Sequence, residues 1–318
     1  MKRMIWLSLL FCGVIYIWNA SWWGAPQTHK LDVQAHRGLH QTFSRIGLKS
    51  DTCTATRIFN PAHSYIENTL DSMRAAIHYG ATQIEMDVHP TIDGEFAVFH
   101  DWTLECRTNG TGRVRDRSWD DLKQLDIGYG YTPDGGQTFP FRGKFEGAMP
   151  RLSEVLSEFP NTGFAINIKS RSQDEARKLI NYIPPDRLDS LMFVGNDIPM
   201  DKVLQLAPEA RTISRQRAKS CYKSYMALGW SGYIPKVCRN TVLPVPANYR
   251  RLLWGWPYKL ETRLNRVGSR TMLIGPLSDV GTTGIDRPEQ LDWVPEHYSG
   301  IVFTNKVETI APLLKTDP

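Results

Sequence analysis

Short apolar runs alternate along this chain with segments that have the hydrophobic period of helices. Most of the runs do not alternate strictly between apolar and polar residues, which is typical of strands buried on both faces, as in a parallel sheet. Neighbouring parallel strands need a crossover helix between them, and eight such units close a barrel. The eight runs are Val33–Ala35, Gln83–Val88, Ala97–His100, Phe164–Ile168, Leu191–Val194, Ala210–Ile213, Thr271–Ile274 and Gly300–Phe303. The helical patterns are Leu70–Tyr79, Trp119–Leu125, Leu152–Phe159, Gln173–Tyr182, Met200–Leu206 and Leu252–Val267. The sequence therefore predicts an α/β fold, a (β/α)8 barrel of the TIM type.

Two stretches interrupt this alternation and are predicted to be insertions. They are Leu39–Ile66 and Tyr222–Tyr249, and each contains cysteine that would pin it to the body. A barrel of this type typically has about 250 residues, so a chain of 318 residues has a surplus for both. We expect both insertions to lie over the active-site face of the barrel. A hydrophobic fraction of 41% supplies the core and excludes a disordered, collagen-like or coiled-coil chain.

The first 24 residues have the pattern of a membrane-targeting segment, ahead of a barrel domain at 25–318. Lys2 and Arg3 precede an apolar run that begins at Met4. Positive charge before an apolar stretch keeps the N-terminus in the cytoplasm and exports the chain that follows. A single helix from Met4 to Trp23 would span about 30 Å, enough for a bilayer anchor.

A cleaved signal and a buried core helix are the alternatives for this segment. The anchor would leave the barrel on the inner membrane, facing the periplasm or the extracellular side. Cleavage would make the protein periplasmic or secreted.

Export changes the interpretation of the five cysteines. Cys12 lies in the apolar segment, and the other four would enter an oxidising compartment. Four cysteines allow three connectivities. We favour Cys53–Cys106 and Cys221–Cys238, since each pair falls within one half of the chain and closes a loop of moderate length.

The formal net charge of +5 comes from Lys and Arg scattered along the chain rather than gathered in blocks. Scattered cations do not form the basic patch that nucleic acid requires. We expect a monomer that binds a small or lipid-derived substrate and the membrane, and no nucleic acid.

Polar residues stand at the ends of the first four predicted strands. The carboxyl ends of parallel strands meet at one rim of a barrel, where active sites are built. Any one of these residues alone would be more typical of a structural or solvated group, but the set at four consecutive strand ends predicts a site. The residues are His36, Arg37, Glu85, Asp87, His100, Asn167 and Lys169.

These residue types fit the cleavage of a phosphate ester. Glu85 and Asp87 are two apart on a strand, so they face the same side, and paired carboxylates suit a hard divalent cation. One histidine can remove a proton from the nucleophile while the other protonates the leaving oxygen. Nearby cations would neutralise the phosphoryl oxygens.

From about Val33 to Leu314 the chain resembles the glycerophosphodiester phosphodiesterase family, most strongly between His36 and Lys169. The resemblance rests on an ordered series of motifs, which is specific as a set. The motifs are His36-Arg37-Gly38, Glu67-Asn68-Thr69, Ile84-Glu85-Met86-Asp87-Val88, Thr91-Ile92-Asp93-Gly94, Val98-Phe99-His100-Asp101-Trp102-Thr103-Leu104, Arg107-Thr108-Asn109-Gly110, Met149-Pro150-Arg151-Leu152-Ser153-Glu154-Val155-Leu156 and Gly300-Ile301-Val302-Phe303-Thr304-Asn305.

The resemblance implies a TIM-type barrel that hydrolyses glycerophosphodiesters to sn-glycerol 3-phosphate and an alcohol. It implies that His36 and His100 are the acid/base pair, and we assign His36 provisionally as base and His100 as acid, with the reverse left open. It implies further roles for the cations, which contact phosphate, and for the carboxylates, which bind Ca²⁺ or Mg²⁺. The phosphate residues are Arg37 and Lys169; the metal residues are Glu85 and Asp87, with Glu67 in or just behind the metal shell.

Asn167 is the main departure from the family pattern, which has Glu or Asp there as the third metal ligand. An amide oxygen can still bind a hard cation, but the site carries one negative charge less. We therefore expect weaker metal binding or a different metal preference. Two alternatives stay open: a phospholipase D-like hydrolase of lysolipids at the membrane, and a non-catalytic relative that only binds a phosphate ligand. The segment Met272–Pro276 also lacks the Trp-Thr ending common in the family, which leaves the glycerol pocket undefined.

Overall fold

A computed structural model describes residues 2–24, 30–49, 52–278, 281 and 283–314 of the 318-residue chain. Eight parallel strands form one sheet in the order β6-β5-β4-β2-β1-β9-β8-β7, and a ninth, β3, pairs only with β2. The strands are β1 (Asp32–His36), β2 (Gln83–Pro90), β3 (Phe96–Val98), β4 (Gly163–Ile168), β5 (Leu191–Gly195), β6 (Arg211–Ser214), β7 (Val242–Pro246), β8 (Arg270–Ile274) and β9 (Ile301–Thr304). The two end strands, β6 and β7, meet at a single bridge between Thr212 and Thr241, so the barrel is nearly closed. The predicted (β/α)8 fold is confirmed.

Helices cover the outside of this barrel. The α-helices are α1 (Lys2–Trp18), α2 (Leu70–Tyr79), α3 (Trp119–Leu122), α4 (Leu152–Glu158), α5 (Gln173–Tyr182), α6 (Asp197–Leu206), α7 (Arg215–Leu228), α8 (Tyr258–Asn265) and α9 (Val307–Leu314). Side chains from five strands around the ring pack against one another and fill the barrel interior, as in other small barrels. They are Ala165, Met192, Val242, Met272, Ile274 and Ile301.

The predicted third barrel strand, Ala97–His100, is wrong as a barrel strand. Ala97 and Val98 belong to β3, which runs antiparallel to β2 in a hairpin, and Phe99 and His100 follow its end. The loop between the two strands is closed by Thr91 N, which donates to Glu95 O at 2.9 Å, and Gly94 has a φ of 88°. So short a connection can only join antiparallel strands, since a parallel crossover needs a dozen or more residues. The hairpin still returns His100 to the rim, because Phe99 N donates to Asp87 O in β2.

The barrel strand that replaces Ala97–His100 in the count of eight is β7. It lies inside the stretch Tyr222–Tyr249, which was predicted to be an insertion. That prediction is wrong, because the stretch contains the second half of α7 and the whole of β7. Pro244 and Pro246 made this segment look unlike a strand in the sequence, since proline has no N–H to donate within a sheet. Proline is tolerated here because β7 pairs along its length only with β8.

A second apolar core lies outside the barrel. It is formed by the segments 52–66 and 97–149, which together we call the cap, and its buried side chains include Ile58, Leu104, Trp119 and Tyr131. The helix predicted at Trp119–Leu125 is the short α3 of this cap and not a barrel helix. The first predicted insertion, Leu39–Ile66, contributes its second half to the same core.

Both favoured disulfides are confirmed. Cys53 and Cys106 are joined across the cap, and Cys221 and Cys238 join α7 to the turn before β7. Cys12 is free and exposed on α1.

The N-terminal helix ends at Trp18, so the prediction of one helix through Trp23 is wrong. A separate 3-10 turn, Ser21–Trp23, follows it. Within the described residues, no helix combines the length and the apolar character that crossing a membrane requires. The end of α1 is docked on the body, where Asn19 Nδ2 donates to Trp230 O at 2.8 Å.

Candidate active site

The Arg37 and Gly38 backbone turns sharply at the end of β1. Arg37 has a φ of 59° and Gly38 a φ of 77°, both in the left-handed region. A Cβ at Gly38 would lie 2.6 Å from Ser72 Oγ in α2, so only glycine fits this approach. The turn points the Arg37 side chain back across the rim, where its Nε lies 2.9 Å from Asp87 Oδ2.

Asp87 is the centre of the site, and its side chain is fully buried. Besides Arg37, its carboxylate lies 3.2 Å from Lys169 Nζ and accepts a hydrogen bond from Asn167 Nδ2 at 3.0 Å. Burial would raise the pKa of Asp87, but Arg37 and Lys169 hold that pKa well below its usual range. Asp87 is therefore ionised and fully compensated.

Glu85, its neighbour on β2, is not compensated in the same way. Among the described residues, no group donates a hydrogen bond to its buried Oε2. Asn167 Nδ2 lies 3.3 Å from Oε1, and His36 Nε2 lies 3.8 Å from Oε2. Burial, followed by repulsion from Asp87, raises the pKa of Glu85 to about 8. The site thus contains one carboxyl group that ionises readily only if a further positive charge is present.

His100 reaches the site from the hairpin and is held by the residue that follows it. Its Nδ1 lies 2.5 Å from Asp101 Oδ1, and Asp101 Oδ2 accepts a hydrogen bond from Arg107 Nε at 2.8 Å. Burial and Arg37 lower the pKa of His100, whereas Asp101 opposes that shift. The Asp101 carboxylate thus fixes the ring and favours its protonated form.

Arg107 also binds Glu67, the carboxylate expected in or behind the metal shell. Its Nη1 lies 2.7 Å from Glu67 Oε1, while the hydroxyl of Tyr131 donates to Glu67 Oε2 at 2.8 Å. Arg37 Nη1 is farther away, 3.8 Å from Glu67 Oε1. Glu67 is therefore engaged by the cap on one side and faces the rim on the other.

His36 is held by a residue from the last strand of the barrel. Its Nδ1 lies 2.7 Å from the side-chain oxygen of Asn305, which follows β9. Burial and then Arg37 lower the pKa of His36 well below its ordinary value. The ring is therefore neutral near pH 7, as a general base must be.

All the residues predicted for the site lie together on the rim. The sequence analysis assigned no role to Asp101, Arg107, Tyr131, Asn305 or Asp286, although three of these carry a signal in the sequence. Asp101, Arg107 and Asn305 stand inside motifs that the sequence had already singled out. Tyr131 and Asp286 have no such signal, because their contacts depend on the fold alone.

A hard divalent cation fits these side chains. The uncompensated Glu85 oxygen beside ionised Asp87 is where added positive charge would be most stabilised. Glu85, Asp87 and the amide oxygen of Asn167, after rotation of that amide, would hold it. In the described part of the chain, no cluster of three or more His, Cys, Asp or Glu side chains forms a metal site, and at position 167 the chain has an amide.

Comparison with known proteins places this site in a family. A model of the glycerophosphoryl diester phosphodiesterase family matches residues 36–197, just over half of the chain, and this match begins at His36 and includes Lys169. The chain belongs to that family.

Relatives of the phosphodiesterase family match in sequence and in fold. A glycerophosphodiester phosphodiesterase of Caldanaerobacter subterraneus subsp. tengcongensis is 36% identical over 153 residues, which cover 46% of this chain and 59% of the relative. The glycerophosphoryl diester phosphodiesterase domain of a Mycobacterium tuberculosis protein matches in structure with a TM-score of 0.61 at 14% identity, covering 89% of this chain and 99% of that one. An Oleispira antarctica phosphodiesterase, solved with the product sn-glycerol-3-phosphate, matches with a TM-score of 0.52 at 18% identity, covering 87% of this chain and 94% of that one.

The sequence relatives and the solved structures differ in how much of the chain they cover and in how similar they are to it. The chain spans about half the length of the curated relatives it matches. The solved structures are distant in sequence, so they show the shared barrel alone.

Proposed function

We propose that this chain hydrolyses glycerophosphodiesters, releasing sn-glycerol 3-phosphate and an alcohol. The observation that carries the proposal is the pair of imidazoles around one buried charge cluster. His36 Nε2 lies 3.8 Å from Glu85 Oε2, and the hydrogen bond from Phe99 N to Asp87 O brings His100 to the same strand, so the two rings share a site. Family membership and the names of the curated relatives support the same substrate class.

The proposed reaction uses one histidine as base and the other as acid. His36 removes the proton from the nucleophile, which is water or the neighbouring glycerol hydroxyl, as its oxygen attacks phosphorus. The bond from phosphorus to the alcohol oxygen breaks, and His100 gives that oxygen a proton. Attack by water gives sn-glycerol 3-phosphate directly. Attack by the glycerol hydroxyl gives a cyclic phosphate, which water then opens: His100 takes the proton from the water, and His36 returns its proton to the glycerol oxygen that leaves phosphorus. Arg37 and Lys169 face the phosphoryl oxygens, where they stabilise the charge that develops in the transition state.

We also propose a divalent cation, Ca²⁺ or Mg²⁺, held by Glu85, Asp87 and Asn167 with Glu67 behind them. Such an ion neutralises charge on phosphoryl oxygens. The uncompensated carboxyl group of Glu85 supports this assignment.

A membrane location completes the proposal. Lys2 and Arg3 begin α1 and precede its apolar run, whose large side chains, including Trp6 and Leu10, are exposed. This pattern and the two disulfides support an exported barrel held at the inner membrane through α1. Flotation of the full-length protein with phosphatidylethanolamine/phosphatidylglycerol vesicles tests this, and we expect the protein in the lipid fraction. Recovery of intact protein only from the soluble fraction would contradict the anchor.

The substrate is tested with a panel of water-soluble glycerophosphodiesters and lysophospholipids, each assayed with Ca²⁺, Mg²⁺ or EDTA. We expect turnover of the soluble diesters, and its loss in EDTA. Turnover of lysolipids alone would replace the proposal with the phospholipase D-like activity. Ligand binding without turnover in any metal would replace it with the non-catalytic alternative.

A further inference from the structure

Asn305 is held in one orientation by Asp286. The Asn305 side-chain nitrogen donates to Asp286 Oδ2 at 2.9 Å, and its backbone N–H donates to Asp286 Oδ1 at 2.7 Å. Thr304 Oγ1 donates to the same Oδ1 at 3.2 Å. A carboxylate only accepts hydrogen bonds when ionised, so the NH₂ end of the Asn305 amide must point toward Asp286.

This orientation determines which nitrogen of His36 carries the proton. The oxygen of the Asn305 amide faces His36 Nδ1 at 2.7 Å, and an amide oxygen only accepts hydrogen bonds. Nδ1 must therefore be the donor. A neutral imidazole has one N–H, so the lone pair is left on Nε2, which points toward Glu85 on the rim.

We propose that Asn305 and Asp286 are positioning residues that hold His36 in its Nδ1–H tautomer, so that Nε2 takes the proton from the nucleophile. This inference rests on the proposed function and extends it, because it decides which histidine is the base. In the step, the nucleophile's proton moves to Nε2 of His36 while the Nδ1–H bond to Asn305 is kept.

The other histidine has a different partner, which fits the opposite role. Asp101 is a carboxylate, and a negative partner at Nδ1 stabilises the imidazolium form that an acid needs before it donates. Asn305 is neutral and gives His36 orientation without that charge. The proton that leaves Nε2 of His100 goes to the alcohol oxygen, and Asp101 keeps its hydrogen bond to Nδ1.

The test combines histidine NMR with steady-state kinetics on the full-length protein. Uniform ¹⁵N labelling of histidine distinguishes a protonated from a bare ring nitrogen, and the His36 signals are identified by their loss in His36→Ala. In Asn305→Leu, which removes the acceptor, we expect the Nδ1–H tautomer to give way to Nε2–H. We expect kcat to fall by about 10- to 100-fold with KM nearly unchanged, because the residue touches the base and not the substrate.

An exchange of the two side chains provides the rescue. The double variant Asn305→Asp/Asp286→Asn again places an acceptor at Nδ1 and a donor opposite it, so both the tautomer and most of kcat should return. Asn181→Leu, the same substitution at an exposed position on α5, is the control and should leave both unchanged. If Asn305→Leu fails to fold, Asp286→Asn alone should populate both tautomers.

Two results would overturn the inference: an Nε2–H tautomer in the wild-type protein, or an unchanged tautomer and kcat in Asn305→Leu. The NMR signal does not depend on turnover. If no glycerophosphodiester were hydrolysed, the proposed function would fail, while an Asn305-dependent Nδ1–H signal would still support the positioning role.

Discussion

At the scale of single residues, the site is defined by an imbalance between two neighbouring carboxyl groups. Asp87 is buried among Arg37, Lys169 and Asn167, whereas Glu85 has one hydrogen-bond donor and one uncompensated oxygen. Buried charges are stable only when they are paired, so the second carboxyl group either keeps its proton or binds a cation. This difference gives the metal proposal a physical basis that the family resemblance alone does not supply.

Asn167→Glu tests the metal site. A carboxylate at this position adds a negative charge beside Glu85 and Asp87, and ligand charge sets the affinity for hard cations. We expect the Kd for Ca²⁺ or Mg²⁺ to fall by about tenfold or more, measured by titration calorimetry. Asn181→Glu makes the same charge change at an exposed position and should leave Kd unchanged. Equal or weaker binding by Asn167→Glu would contradict a ligand role.

The buried His89 should make the free energy of unfolding depend on pH. It is fully buried, and burial followed by Lys169 lowers its pKa from 6.5 to about 4. Between pH 6.5 and 4 the unfolded chain binds a proton at this position that the folded chain does not. The free energy of unfolding therefore falls as the pH drops through that window, by up to about 1.4 kcal/mol per pH unit.

The variant His89→Gln removes this proton linkage. Urea unfolding at pH 7 and pH 5 should show a smaller loss of stability on acidification for the variant than for the wild-type protein. The same loss in both proteins would show that His89 is not buried in its neutral form.

At the scale of elements, Arg107 connects the cap to the rim. Its buried guanidinium group contacts Glu67, Asp101 and the hydroxyl of Tyr131, and its Nη2 donates to Thr54 Oγ1 at 2.7 Å. The Cys53–Cys106 disulfide joins the residues next to Thr54 and Arg107. The disulfide and the Arg107 contacts thus stabilise the part of the cap in which Arg107 binds Asp101, the residue that orients His100.

Arg107→Gln should be strongly destabilising. It leaves the buried Glu67 and the half-buried Asp101 without this cation, and breaking a buried pair in this way costs about 3–5 kcal/mol. Denaturant unfolding measures the loss, with Arg74→Gln as the control because its ion pairs are exposed and worth about 0–1 kcal/mol. A loss for Arg107→Gln as small as that of the control would contradict the role of this contact.

Most barrel strands were predictable from short runs rich in apolar residues, and the errors have local causes. Ala97–His100 has the composition of a barrel strand, but the short loop before it forces a hairpin, and composition does not encode strand direction. The run at Val242–Pro246 is a barrel strand whose prolines suggested a loop. Contacts between distant segments, such as Tyr131 with Glu67, leave no periodic signal in the sequence.

At the scale of the whole molecule, the barrel closes the site between the first strand and the last. His36 and Asn305 are separated by 269 positions and meet because β1 pairs with β9. The catalytic candidates were predictable because the carboxyl ends of parallel strands share one rim. The residues that orient them were not assigned, because each depends on a pairing that only the closed barrel creates.

The most direct test of the proposed hydrolysis is the release of sn-glycerol 3-phosphate from glycerophosphoethanolamine in the presence of Ca²⁺ or Mg²⁺. We expect release by the wild-type protein and by His78→Ala, a control at an exposed histidine on α2. His36→Ala and His100→Ala should each be slower by about 100-fold or more, because each removes a proton-transfer group. A wild-type rate in either variant would contradict the two-histidine mechanism, and no release by the wild-type protein from this or any other glycerophosphodiester would contradict the proposed activity.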